Sequence, residues 1–195
     1  ISLIVDETYR DFHSKTDPIH TLFKDFEWEN TLVSLYSFSK SYHLTGHRIG
    51  AIITSANRLN QAEKFLDSVT ICPNQLGQIG ALSGLRASSE WLANERLEIL
   101  KRKSIIQEGF NNLGGWSLKG CGAYFAYVEH PFGITSDEVC QKLLSNQAML
   151  TLPESMFTQK NRKDLKNHIR IAFANITASE IPQMFQRLEN FKIEQ

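Results

Sequence analysis

Nowhere in the sequence do apolar residues run uninterrupted for the roughly eighteen positions that a membrane-crossing helix needs, so no such span is expected. Neither sign of charge is in excess, since 21 Lys and Arg stand against 21 Asp and Glu. Without a basic surplus there is no electrostatic footprint for nucleic acid, and without a polybasic cluster there is none for an anionic membrane. Cysteine is scarce and odd in number. Cys72, Cys121 and Cys140 lack metal-ligand spacing, so they read as buried free thiols in a reducing, cytoplasmic setting. No metal is expected either, because His13, His20, His47, His130 and His168 show no ligand spacing and read as ordinary surface or loop residues. Internal repeats and low-complexity tracts are absent. The chain also lacks an initiating Met. It opens in an apolar run, Ile1 to Val5, with acidic Asp6-Glu7 directly behind and no basic segment ahead, which argues against a secretory leader. A run that apolar suits a parallel strand covered on both faces, which needs neighbours already in place, so the text reads as starting inside a larger protein.

What is present is enough to bury a core: 195 residues, 42% of them hydrophobic, sufficient for one domain or two small ones. The first third alternates strand and loop, with strands expected at 32–38 and 49–54. Asn57 is placed to cap a helix that carries Leu59, Ala62, Phe65, Leu66 and Val69 on one face. Pro73 opens a second helix whose Gly77, Gly80 and Gly84 form a stripe where a neighbouring backbone can approach closely. A long helix from Ser89 to about Leu113 follows, stopped by Gly114-Gly115. After it the texture becomes α+β. Strands are expected at 123–128 and 168–174, with capping boxes Thr135/Glu138 and Thr177/Glu180 ahead of helices. Pro182 argues that the last helix starts later than its capping box suggests. The domain boundary is placed inside the long helix, near residue 105.

Three polar signals fall at the ends of apolar strands, where open α/β sheets build ligand sites. They are Asp6-Glu7-Thr8-Tyr9, Ser37-Phe38-Ser39-Lys40, and Gly46-His47-Arg48-Ile49-Gly50. A lysine packed at a strand end is desolvated, which frees its amine to attack a carbonyl. An acid on the adjacent strand can pair with a cationic ring nitrogen, and a phenol three residues on can donate to a ring oxygen. A serine and an arginine flanking the lysine can hold a phosphate. Ring nitrogen, ring oxygen, aldehyde and phosphate are the four handles of pyridoxal 5′-phosphate (PLP).

The pattern Asp6-x-x-Tyr9, then Ser37-x-Ser39-Lys40, five residues, and Gly46-x-Arg48-x-Gly50 resembles the fold-type I, class I/II aminotransferases. Eight specified positions agree, each with roughly one chance in twenty of doing so by accident. The likeness covers essentially the whole chain, since Gly122-Ala-Tyr-Phe125 and the surroundings of Arg170 also look like the family's C-terminal domain. The resemblance implies an α/β fold: the C-terminal part of a large PLP-binding domain with a mixed, mostly parallel sheet (residues 1–105), followed by a smaller α+β domain (residues 106–195). It implies that Lys40 is the Schiff-base lysine and proton shuttle, that Asp6 pairs with the pyridine nitrogen, and that Tyr9 bonds the phenolic oxygen. By the same resemblance Ser37, Ser39 and Arg48 belong to the cofactor and phosphate site, and Arg170 grips the substrate α-carboxylate. Independently, Arg170 shares a strand face with small Ala172 and Ala174, while Ile169, Ile171 and Phe173 point the other way.

The expected reaction is amino-group transfer from an α-amino acid to a 2-oxo acid by a cytoplasmic homodimer. One departure stands out: where the family often has Pro-Gly, this chain has Pro153-Glu154. The family's N-terminal half, which supplies a ring-stacking aromatic, an asparagine and phosphate-binding amides, has no counterpart among these residues. Other outcomes on the same scaffold are a C–S lyase, a decarboxylase, or the PLP-sensing domain of a transcription regulator.

Overall fold

The computed structural model describes residues 1–14, 17–159 and 167–193. They gather into two compact units, Ile1–Arg96 and Leu97–Gln195, and the division falls inside one long helix.

The first unit runs β1 (Leu3–Asp6), α1 (Trp28–Thr31), β2 (Leu32–Ser37), α2 (Phe38–Ser41), β3 (Gly50–Ile53), α3 (Ala56–Val69) and α4 (Gln75–Ala87), and then enters α5 (Ser89–Asn112). Its sheet is mixed, in the order β1-β2-β3: β1 pairs parallel with β2, and β2 antiparallel with β3. A small core of Phe38, Ile49 and Ala81 forms here, with Tyr36, Tyr42, Leu44 and Ala51 packed against it. The glycine stripe of α4 explains how the chain after α2 gets so close. A methyl at Gly84 would sit 2.6 Å from the Tyr42 ring, and one at Gly77 would sit 3.1 Å from the His47 carbonyl oxygen. Leu44 covers Gly80 between them. The expected close approach is therefore made by residues 42–47, the stretch joining Lys40 to Arg48.

The second unit holds the rest of α5, then β4 (Ser117–Gly122), β5 (Phe125–Glu129), α6 (Ser136–Gln147), β6 (Leu152–Pro153), β7 (His168–Ala172) and α7 (Ile181–Asn190). Its sheet is wholly antiparallel, ordered β4-β5-β7-β6. Period-two alternation sends Ala126, Val128, Ile169 and Ile171 into a core shared with Ile106, Val139, Leu143, Ile181 and Leu188. Phe125, Tyr127, His168 and Arg170 lie on the other face.

Local chemistry sets several element ends. Ser55, two residues ahead of Asn57, caps α3, because its extended backbone lets its hydroxyl accept from the Arg58 amide. Asn74 caps α4 by accepting from the Gly77 amide at 2.7 Å. The Thr135/Glu138 capping box forms in full. Thr177 and Glu180 also bond to each other, but α7 begins only at Ile181, with Pro182 in its first turn where no intrahelical amide is needed.

Two expectations are corrected. Only Cys140 is a buried thiol, while Cys72 is exposed and Cys121 half-buried. His130 is 2% exposed rather than on the surface, because it stacks with Phe132 against the second core. Among the described residues, nothing covers the apolar face of α3 or the flanks of β1: α3 has no buried residue, and Leu3 and Ile4 are exposed. Among the described residues, no helix is long and apolar enough to cross a membrane.

Candidate active site

Pairing register assembles the site at one end of the first sheet. Parallel pairing aligns Asp6 with Leu35, and the Glu7 amide donates to the Leu35 carbonyl, so β1 and β2 finish side by side. Ser37 closes β2, and antiparallel pairing sets it opposite Gly50, the first residue of β3. The Phe38 amide then bonds the Ile49 carbonyl. Asp6, Ser37, Lys40 and Arg48 thus reach the same sheet end from three separate segments.

At Asp6 the carboxylate accepts the Thr8 hydroxyl at 2.6 Å and the Thr8 amide at 3.0 Å. These two donors hold its carboxyl below the usual range, so an exposed anion stands at the end of β1. Tyr9, half-buried, begins the 3-10 turn Arg10–Phe12. Ser37 caps α2 by accepting the Ser39 amide at 3.3 Å, which leaves its hydroxyl proton to donate elsewhere. Ser39 is buried, and Thr45 donates to its carbonyl. Lys40, half-buried, sits in α2 between buried Ser39 and buried Ser41. Arg48 is exposed, with left-handed backbone (φ 51°), and donates one of its five N–H groups to the Thr45 carbonyl at 2.9 Å.

Sequence reading missed the groups that brace this end. Asp11 accepts the Tyr36 phenol at 2.5 Å and the Ser41 hydroxyl at 2.6 Å, tying the residue after Lys40 to the turn after Tyr9. Burial, with Asp11 alongside, pushes the Tyr36 phenol up. Buried Glu7 accepts from Ser34 and pairs with His20 Nε2 at 3.0 Å. Partners 25 to 30 residues apart give no local signal, whereas the short Asp6–Thr8 spacing is a readable turn motif.

Arg170 belongs to the second unit, on β7. Its guanidinium carbon lies 4.3 Å from the centre of the Phe125 ring and 4.4 Å from that of Phe157. Among the described residues, no cluster of three or more His, Cys, Asp or Glu could hold a metal.

The sequence model for "Aminotransferase class I and II" matches residues 1–188. The chain belongs to that family. An aspartate aminotransferase of Thermotoga maritima is 26% identical over 191 residues, 97% of this chain and 47% of that protein. An aromatic aminotransferase of Arabidopsis thaliana is 28% identical over 163 residues, 77% of this chain and 38% of that protein. Among solved structures, a Methanococcus jannaschii protein with an active site similar to kynurenine aminotransferases superposes with a TM-score of 0.83 at 24% identity. It is matched over 97% of this chain and 50% of its own length. The α/β architecture, with one mixed and one antiparallel sheet, is thus that of the aminotransferases. The chain spans about half the length of the relatives it matches. Aminotransferases of this class generally depend on PLP.

Proposed function

We propose that the protein carrying this chain is a PLP-dependent aminotransferase that moves an amino group from an α-amino acid to a 2-oxo acid. One observation carries the reading: the family match over residues 1–188 coincides with a fold that delivers Asp6, Ser37, Lys40 and Arg48 to one sheet end. The donor set suits the cofactor. A carboxylate kept anionic by Thr8 complements a protonated ring nitrogen, and a hydroxyl and a guanidinium complement a phosphate. When bound, PLP supplies the electron sink for the bond changes at the substrate Cα.

The rest of the work falls to the chain. Asp6 keeps the nitrogen end cationic by remaining ionised. Tyr9 donates its phenol to the ring oxygen. Ser37 and Arg48 fix the phosphate end, with Ser39 holding the Ser37 hydroxyl in place through its amide. The Lys40 amine would hold the cofactor through its aldehyde carbon and, as a free amine, would serve as the base for the proton on the substrate Cα. Arg170 binds the substrate α-carboxylate through its planar fork. The first unit is read as the later part of the large domain, and the second as the small α+β domain. We place the protein in the cytoplasm as a homodimer, with the remainder of the cofactor pocket supplied from outside these 195 residues.

The test is a panel of amino donors added to the full-length protein loaded with PLP. The reading predicts that at least one donor converts the bound cofactor to its amine form and yields the matching 2-oxo acid in equal amount. Release of ammonia, carbon dioxide or a thiol in place of that conversion would assign a different PLP reaction.

A further inference from the structure

Glu154 stands where the family pattern favours glycine, and the structure shows what the extra carboxylate does. It is 5% exposed, and one of its oxygens accepts both the His168 amide at 3.3 Å and His168 Nδ1 at 2.8 Å. A carboxylate buried without such partners would be strongly disfavoured. The His168 ring is itself held, stacked on Tyr127 at 5.0 Å with 6° between the planes. Glu154 also begins the 3-10 turn Glu154–Met156, and its carbonyl accepts the amide of Phe157 at 2.9 Å. One residue therefore grips β7 with its side chain and sets the start of Phe157 with its backbone. Phe157 in turn puts its ring against Arg170, two residues along β7 from His168. Phe125, diagonally across the β5–β7 ladder, supplies the other ring.

We propose that Glu154 and His168 form a latch that seats Phe157 on Arg170, making both residues positioning residues for the carboxylate-binding arginine. With aromatic faces against its guanidinium, Arg170 keeps its N–H edge as the approach for an anion, so the arrangement favours in-plane, two-point binding of a planar carboxylate. A glycine at 154 would remove the side-chain tie from the turn to β7, leaving the pairing of Pro153 with Ile169 behind it, and the ring of Phe157 free to leave the arginine. The inference rests on reading Arg170 as the carboxylate ligand. It adds to that reading the residues that hold the ligand ready.

The experiment measures propionate binding to the full-length, PLP-loaded protein by calorimetry, together with KM and kcat for a productive donor. Glu154→Gly, His168→Ala and Phe157→Leu are each expected to weaken propionate about twofold to fivefold, the range of a partly exposed cation–π contact. They should raise KM and leave kcat within about twofold. Glu154→Gln, whose side-chain oxygen still accepts from His168, is expected to restore most of the loss. The double variant Glu154→Gly/Phe157→Leu should bind no worse than Phe157→Leu alone, because the latch acts only through that ring. Unchanged propionate affinity in Glu154→Gly, or penalties that add in the double variant, would overturn the proposal. Should Glu154→Gly fail to fold, His168→Ala and its combination with Phe157→Leu provide the same cycle. If Arg170→Ala binds propionate as well as the unaltered protein does, the latch and the Arg170 assignment fall together, whereas attachment of PLP at Lys40 would be unaffected.

Discussion

The Lys40 segment was legible at the scale of single residues because its spacing is local: Ser37, Ser39 and Lys40 fall within one turn, and Gly46, Arg48 and Gly50 within the next. The residues that condition them were less so. Thr8 lies two positions from Asp6 and is readable after the fact, yet its effect is specific. Its hydroxyl and amide favour the charged carboxylate, so Asp6 titrates below its ordinary value and remains an anion further into acid. Thr8→Ala removes the hydroxyl donor and leaves the amide, so the Asp6 pKa rises. In the full-length protein this predicts that the acid limb of the kcat/KM pH profile moves to higher pH, with the neutral plateau little changed. An unmoved acid limb would show that Asp6 does not set it. Asp11, in contrast, had no signature at all. Its partners Tyr36 and Ser41 are reached only through the pairing of β1 with β2, which no window of local sequence contains.

At the scale of elements, hydrophobic period and caps located most helices and strands to within a residue or two. The errors have physical causes. Ser55 displaced Asn57 as the cap of α3 because both are good caps and only the backbone decides which is extended. β4 was overlooked because Ser117–Gly122 carries two glycines and little apolar alternation, and it is held by pairing with β5 rather than by its own propensity. The α4 glycines offer a test with two signs. A methyl at Gly84 meets the Tyr42 ring at 2.6 Å, and that ring is packed against Phe38 and Trp91, so it cannot give way cheaply. Overpacking of about 1–3 kcal/mol then outweighs the roughly 1 kcal/mol gained by replacing a helical glycine. A methyl at Gly80 meets only the Leu44 methyls at 3.4 Å, an ordinary contact. Denaturant unfolding should show Gly84→Ala destabilised by up to about 2 kcal/mol and Gly80→Ala stabilised by up to about 1 kcal/mol. The reverse order would contradict this account of the stripe.

For the molecule as a whole, the length match and the surface agree. The chain spans about half of the Thermotoga maritima and Methanococcus jannaschii relatives. The apolar stripes of α3 and α4 stay open, with Phe65 at 67%, Val69 at 60% and Leu76 at 72% exposure. Each such side chain gains roughly 1.5–3 kcal/mol when covered, so these faces favour a partner surface. The 195-residue chain alone should bind a hydrophobic dye and elute as more than a monomer at micromolar concentration. A monodisperse monomer with no dye binding would contradict that. Family and architecture were thus readable from the sequence, whereas the uncovered faces were not: the sequence shows that a helix face is apolar but not whether the same chain covers it.

The claim on which everything else depends is that Lys40 is the amine that takes the cofactor. Borohydride reduction of the PLP-loaded full-length protein, followed by peptide mapping, tests it most directly. The account predicts a pyridoxyl group on Lys40 and on no other lysine, lost in Lys40→Ala. A label on another lysine, or none on Lys40 while the cofactor is bound, would contradict it.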